Sequence, residues 1–477
     1  FVYHRQRATR DMKYNDAVKV LNELQGYEML SPQQKKDATG LGIMKDLLRR
    51  VKVTNEDLNK MKVIHITGTK GKGSTCAFVE NILKQHGVKT GFCSSPHLLE
   101  VRERIRVNGR PISTELFAKY FWKVYNLLNE QKCEIQIPNY YYMLTLLAFY
   151  SFKHERVNAA ILEVNIGGAY DCTNVITKPV CCGVSTLDID HTDLLGNTLA
   201  EIAWHKGGIF KPGAALFTVP QPDEGMKVLI QRADEAGEHL KVVPQLDLYP
   251  IGKEIQLGLA GDHQKANASL AVQLANSWLE RTSNKRMASQ NMLFPINEKF
   301  SEGLRTCSWD GRCQVIKFQG VTFYLDGAHT VKSLNCVTEW FNEQSAKEQS
   351  ELGSSCEKVL AFNVLSERDV KVFLSVLFSC GFDSNIFLPS FASSSCVIYA
   401  DQISLKYPIE HQVYKAFQNR DIWKEICISQ QQPTTDEKSP VFLSVADAVS
   451  TKYQEKHLQV LVTGSLRLVG AFLAILK

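Results

Sequence analysis

Short apolar runs rich in β-branched residues recur along the chain at positions 63–66, 157–164, 180–187, 321–325, 359–363 and 458–463. Between several of them the apolar positions change to helical spacing. After the first run, Phe78, Val79, Ile82, Leu83 and His86 share one helix face, and Gly87 suits the position just past a helix end. Buried strands alternating with helices predict α/β domains with largely parallel sheets. Polar stretches at 281–290, 343–357 and 430–439 interrupt the pattern, and a domain boundary is expected near 307–313, just before the second set of strands opens. Each apolar run ends in a polar cluster: 67–74, Glu163, Asp190 with His191, 326–329, and Gly464 with Ser465. Ligands of open α/β sheets bind beyond the carboxyl ends of the strands, so the chemistry is expected there, in a cleft between the two sets.

Composition narrows the field without identifying a function. The 477 residues carry 55 Lys plus Arg against 50 Asp plus Glu, a net charge of +5, with 44% hydrophobic and 22% charged residues. That is a globular composition, and the cations are interspersed with acids, so no nucleic-acid partner is expected. The apolar stretches at 140–152 and 468–476 are shorter than the about 20 residues that span a bilayer, so no integral membrane segment is expected either. The 13 Cys form no C-x-x-C pair, and four of them (Cys76, Cys93, Cys181, Cys182) lie inside apolar runs; reduced, buried thiols are expected. Residues 1–10 hold Arg5, Arg7 and Arg10 with no acid and open on Phe1. Such a segment fits the tail of an organellar transit peptide or a short solvated basic arm. Met12 could then start a cytosolic form beside an organellar one.

The sharpest motif is residues 64–74, Ile-His-Ile-Thr-Gly-Thr-Lys-Gly-Lys-Gly-Ser. A buried strand enters a glycine-rich turn that opens a helix. Gly68, Gly71 and Gly73 let the backbone approach a phosphate closely, Lys72 can reach β- and γ-phosphates, and Ser74 can ligate Mg²⁺. The motif departs from the Walker pattern, with Ile66 in place of the first glycine and Gly73 between Lys72 and Ser74. Glu163 ends a buried run; alone, the pattern fits a ligand of a hard cation and a capping or ion-paired carboxylate equally. His191 gains interest only from sharing the strand-end position. Lys206 lies at the end of a helical segment, where a lysine is usually a surface residue that complements the helix dipole. Asp326 to His329 could bind ribose, phosphate or a carboxylate, or be a turn held by its own aspartate.

Together these pieces resemble the folylpolyglutamate synthase family of the ATP-dependent Mur ligases. The resemblance runs from about Tyr14 to Leu476 on nine ordered motifs: 67–74, 94–98 with 101–105, 163–174, 190–192, 202–211, 261–268, 309–312, 326–329 and 463–466. The run Gly-Gly-Ala-Tyr-Asp-Cys-Thr-Asn at 167–174 looks like the animal branch. The resemblance implies a P-loop α/β domain over 12–308, after a basic arm at 1–11, and a smaller Rossmann-like α/β domain over 309–477. It implies ATP-dependent addition of L-glutamate to the γ-carboxylate of folates through an acyl phosphate, in mitochondria, cytoplasm or both, by a monomer. ATP and Mg²⁺ are implied, with a monovalent cation as a further candidate. Among site residues it marks Lys72, Lys206 and His329 as catalytic. It assigns Gly68, Thr69, Lys70, Gly71, Lys72, Gly73, Ser74, Asn267, Arg312 and Asp326 to ATP, and Ser74, Glu163 and His191 to metal. Ser95, Pro96, His97, Leu98, His329 and Ser465 are assigned to folate and glutamate. Lys206 matches a lysine that is carbamylated in bacterial relatives. Three places depart from the family pattern: Asn165 replaces a glycine, Asp310 replaces a proline, and the run 362–369 keeps Arg368 and Asp369 but not the threonine and glycine between. Other readings are a bifunctional enzyme that also uses dihydropteroate, a nucleotide- and folate-binding protein without catalysis, and a generic P-loop ATPase.

Overall fold

The computed structural model describes residues 2–26, 30, 33–131, 137–250, 252–283, 292–365, 369–393, 401, 407–433, 435–450 and 457–477. Arg368, singled out above, lies outside them. The chain forms two compact units. The first comprises Phe1–His97, Arg102–Gly258 and Gln264–Ser308, and the second Leu98–Val101, Leu259–His263 and Trp309–Lys477.

The first unit is built on eight strands: β1 (Ile64–Thr67), β2 (Thr90–Cys93), β3 (Ile105–Val107), β4 (Arg110–Pro111), β5 (Ala159–Glu163), β6 (Cys181–Val184), β7 (Ala215–Thr218) and β8 (Leu240–Val242). Their order in the sheet is β4-β3-β2-β5-β1-β6-β7-β8. All neighbours are parallel except β2 with β3 and β3 with β4. Every residue of β1, β2, β5, β6 and β7 is buried, which explains why β1, β5 and β6 read as continuous apolar runs rather than alternating ones. From β1 the chain moves to one side of the sheet, and from β6 to the other. The crevice beyond their carboxyl ends is therefore a topological switch point.

The second unit has five strands: β9 (Gln314–Phe318), β10 (Val321–Leu325), β11 (Glu357–Phe362), β12 (Ser384–Phe387) and β13 (Leu458–Thr463). They are ordered β12-β11-β13-β10-β9, parallel except for the β9–β10 hairpin. Alternate side chains feed two cores. Tyr324, Leu360, Phe362 and Leu461 pack with Trp340, Phe341 and Trp423 on one face. Phe323, Leu325, Val359, Ala361, Val460 and Val462 pack with Leu468 and Phe472 on the other. The architecture is the α/β class that the alternating pattern predicts. Among the described residues no helix is long and apolar enough to cross a membrane. No disulfide links the described cysteines, and Cys76, Cys93, Cys181 and Cys182 are buried.

Candidate active site

In the first unit, β1 runs into the glycine-rich turn and the helix Lys72–Gln85 follows at once. Gly71 caps that helix at φ +86, and a Cβ there would collide with the side chain of Asn267. Gly68 takes φ +147, and a Cβ there would run into Ser185. Both positions require glycine, which has no Cβ to collide. The turn is held from beneath by the segment after β6. Thr69 N–H and Lys70 N–H donate to Thr186 O at 2.9 and 3.1 Å, and Ser185 Oγ donates to Lys70 O at 2.7 Å. Thr69 Oγ1 reaches Asp188 O at 3.0 Å, and Lys70 pairs with Asp190 at 3.2 Å. Lys72 Nζ lies over the loop, donating to Gly68 O at 2.9 Å. Gly73 and Ser74 start the helix, and Ser74, 3% exposed, receives Gln264 Nε2 at 3.4 Å. Gln264 in turn accepts Asn267 Nδ2 at 2.9 Å, which ties the nucleotide candidate Asn267 to the loop.

Lys206 corrects the surface reading. It is 3% exposed, and its Nζ donates to Gly68 O at 2.8 Å. Thr198 caps the helix Leu199–Gly207, whose far end packs into the site because Gly208 lies so close to Ala169 that a Cβ would collide. Burial, followed by the neighbouring Lys72 charge, pushes the Lys206 amine well below its ordinary pKa. Glu163 ends β5 beside Ile66 of β1; it is 6% exposed, and its Oε2 accepts Ser95 N–H at 3.2 Å. His191 is exposed and left-handed (φ 54), opening the short turn Thr192–Leu195. Among the described residues no three His, Cys, Asp or Glu side chains gather as a metal cluster. The predicted set has a different make-up: the serine hydroxyl and the glutamate carboxylate are hard oxygen donors withdrawn from bulk water, which is the chemistry Mg²⁺ prefers.

The segment after β2 holds Ser95 and Pro96, joined by a cis peptide, and His97, whose Nδ1 accepts Arg104 Nε at 2.9 Å. Leu98 belongs to the second unit and packs against its core. The loop after β5 is organised by Asp171, which had no role in the sequence reading. Its buried carboxylate accepts Asn165 N–H (3.1 Å), Ile166 N–H (3.2 Å), Thr173 N–H (3.0 Å) and Thr173 Oγ1 (2.6 Å). Asn165 is not left-handed; Gly167, at φ +69, makes the turn instead.

In the second unit, Asp326 follows β10 and is 7% exposed; its Oδ2 accepts Cys313 N–H at 2.8 Å. Burial and this carboxylate push the Cys313 thiol far up. Arg312 stands next in the chain, and Gly327 N–H donates to Gly311 O at 3.3 Å. His329 Nδ1 lies 2.7 Å from Gly327 O, and its backbone N–H donates to Ser333 Oγ. Ser465 follows β13 and caps the helix Leu466–Leu476. Gly464 N–H donates to Ala328 O at 3.0 Å, which brings the turns carrying His329 and Ser465 together. Asp310 pairs with Lys477 at 2.5 Å and accepts Gln314 Nε2.

No protein-family model matches the chain. The mitochondrial folylpolyglutamate synthase of Bos taurus is 40% identical over 543 residues, covering 98% of this chain and 93% of that protein. The mitochondrial folylpolyglutamate synthase of Homo sapiens is 44% identical over 443 residues, covering 88% of this chain and 75% of that protein. The crystal structure of folylpolyglutamate synthase from Thermotoga maritima matches with a TM-score of 0.70 at 25% identity, covering 98% of this chain and 97% of that one. Identity of 40–44% over at least 88% of this chain and 75% of each relative, on the same two-sheet α/β fold, means that this chain belongs to the folylpolyglutamate synthase family.

Proposed function

We propose that this chain joins L-glutamate in γ-linkage to folates at the expense of ATP. The observation that carries the reading is the phosphate loop: a left-handed glycine cap, a helix N-terminus and Lys72, backed by buried Ser74 and Glu163 at one end of the sheet. A carboxylate is a poor electrophile. An oxygen of the folate γ-carboxylate attacks the γ-phosphorus of ATP, the bond to the β,γ-bridging oxygen breaks, and ADP leaves. The glutamate amine then attacks the acyl carbon, the tetrahedral oxyanion collapses, and phosphate departs as the amide forms.

Gly68 to Ser74 hold the phosphates through backbone N–H groups and the Lys72 ammonium, with Asn267, Arg312 and Asp326 as further nucleotide contacts. A phosphate would replace Gly68 O as the acceptor of Lys72. Ser74, Glu163 and His191 would hold Mg²⁺, which when bound offsets phosphate charge; a monovalent cation is a second candidate. His329 and Ser465 hold the incoming glutamate, and Ser95 to Leu98 hold the folate. Burial and the neighbouring Lys72 charge push the Lys206 amine well below its ordinary pKa, which favours the neutral form. That is the form that adds CO₂, forming an N–C bond and releasing a proton, so carbamylation is proposed there. We also propose that residues 12–308 form the nucleotide-binding domain and 309–477 the glutamate-ligase domain, working as a monomer. The relatives named mitochondrial support a mitochondrial location, with cytoplasm as a second compartment.

The test is direct. Purified full-length protein is incubated with tetrahydrofolate, ATP, Mg²⁺ and labelled glutamate, and folates lengthened by labelled glutamate are expected. A folded protein that yields none would sink the ligase reading.

A further inference from the structure

His65 lies in the middle of β1, between Leu162 of β5 and Cys182 of β6, and is fully buried. An imidazole is an unusual choice for so apolar a place. Its Nε2 lies 2.8 Å from Thr173 Oγ1. That hydroxyl has one proton, and it is directed at Asp171 Oδ1, 2.6 Å away, on a carboxylate surrounded by donors. The proton count assigns Nε2 as the donor to Thr173 and leaves Nδ1 bare. Nδ1 is buried with no hydrogen-bond partner among the described residues. Burial, followed by the Lys211 charge, holds the ring's pKa down to about 3, so the ring stays neutral.

The chain His65–Thr173–Asp171 ends on the backbone that follows Glu163, because Asp171 Oδ2 takes the N–H groups of Asn165 and Ile166. Two residues beyond His65, Thr67 Oγ1 donates to Gly167 O at 2.6 Å. The far end of the same loop is tied to the helix that carries Lys206. Ala169 N–H donates to His205 O at 2.7 Å, and Asn174 Nδ2 donates to Ala169 O and Gly208 O. The strand that launches the phosphate loop therefore also grips the loop beside Glu163 at two rungs.

We infer that His65 is a positioning residue: its Nε2–H, acting through Thr173 and Asp171, sets Glu163 and Lys206 against the phosphate loop and so tunes metal-dependent nucleotide binding. This rests on the ATP-ligase reading above, with Glu163 as a metal ligand. Outer-shell partners of metal ligands typically change metal affinity by about 10- to 100-fold when removed.

The experiment follows the fluorescence of the nucleotide analogue mant-ADP with full-length protein as Mg²⁺ is titrated. His65→Met removes the donor at similar volume, Thr173→Val removes the hydroxyl, and His65→Gln places an N–H near the Nε2 position. His65→Met and Thr173→Val should each raise the Mg²⁺ concentration for half-maximal binding about 10-fold, and the double variant should go no further than either single one. His65→Gln should stay within about 2-fold of wild type, with metal-free mant-ADP affinity unchanged throughout. A His65→Met protein with lower melting temperature but unshifted Mg²⁺ dependence would show a packing role only and overturn the inference. So would an additive double variant, or a His65→Gln no better than His65→Met. If His65→Met does not fold, Thr173→Val alone decides by the same shift. Wild-type protein that binds no mant-ADP with Mg²⁺ overturns the ATP reading and this inference with it, an outcome separate from the others.

Discussion

Single residues decide the site through what they lack as much as what they carry. Gly71 and Gly68 combine left-handed or strained backbone with neighbours that leave no room for a Cβ. Gly71→Ala should lower kcat/KM for ATP by at least about 10-fold, equivalent to about 1.4 kcal/mol, with the circular dichroism spectrum unchanged. Steady-state kinetics checks it. His65 yields a pH prediction whose sign can be worked out. Its folded pKa of about 3 lies below the ordinary 6.5, so between these values the unfolded chain binds the extra proton and stability falls as pH falls. Wild type should lose up to about 1.4 kcal/mol per pH unit below 6.5 that His65→Gln does not lose. Urea unfolding of both proteins at pH 7, 6 and 5 should show their gap narrowing with acid. The motif residues at 64–74 were legible from spacing alone. The burial of Lys206 was not, because a lysine at a helix end gives no sign of whether another loop covers it.

Elements were legible where they are long or central. The six apolar runs of the sequence became β1, β5, β6, β10, β11 and β13, the strands at the middle of each sheet. The strands without a sequence signal are mostly short or peripheral. β2 is interrupted by Gly91, β4 has two residues, and β9 alternates as a half-exposed edge. The helix Val331–Leu352 shows how a polar stretch can still be ordered. Its last part, within the polar stretch at 343–357, contains Glu348, whose carboxylate accepts Thr322 Oγ1 (2.7 Å), Tyr324 OH (2.8 Å) and Gln459 Nε2 (3.0 Å) and pairs with Lys317 at 3.0 Å. These partners hold its pKa down to about 2 against the opposing effect of burial. The stabilisation is present above pH 4.5 and lost as pH falls toward 2. Glu348→Ala strands several buried donors and should cost about 2–4 kcal/mol at pH 7, read from the urea midpoint.

At the scale of the whole molecule, ligand binding should appear as stability by mass action. An ATP analogue with Mg²⁺ at 100 times its Kd should stabilise the protein by about 2.7 kcal/mol, seen as a rise in the melting transition. Ser74→Ala should lose most of the Mg²⁺-dependent part of that rise while melting normally without ligand. The small net charge of +5 is compatible with the proposed function, in which polyanionic substrates would be met by local lysines and a metal rather than by a basic surface. The sequence by itself determined the α/β class, the central strands and the glycine-rich turn that opens the helix, because buried parallel strands and a glycine-rich helix start are written in contiguous residues. Only the tertiary structure decided the rest. Leu98–Val101 and Leu259–His263 join the second unit although the chain on both sides belongs to the first. Ser185 buttresses Lys70, Asn267 closes on Gly71, and Lys206 reaches Gly68 across separations of more than 100 residues. Such contacts form because parallel strands distant in sequence lie side by side in the sheet, bringing their carboxyl ends, and the loops that leave them, to one edge.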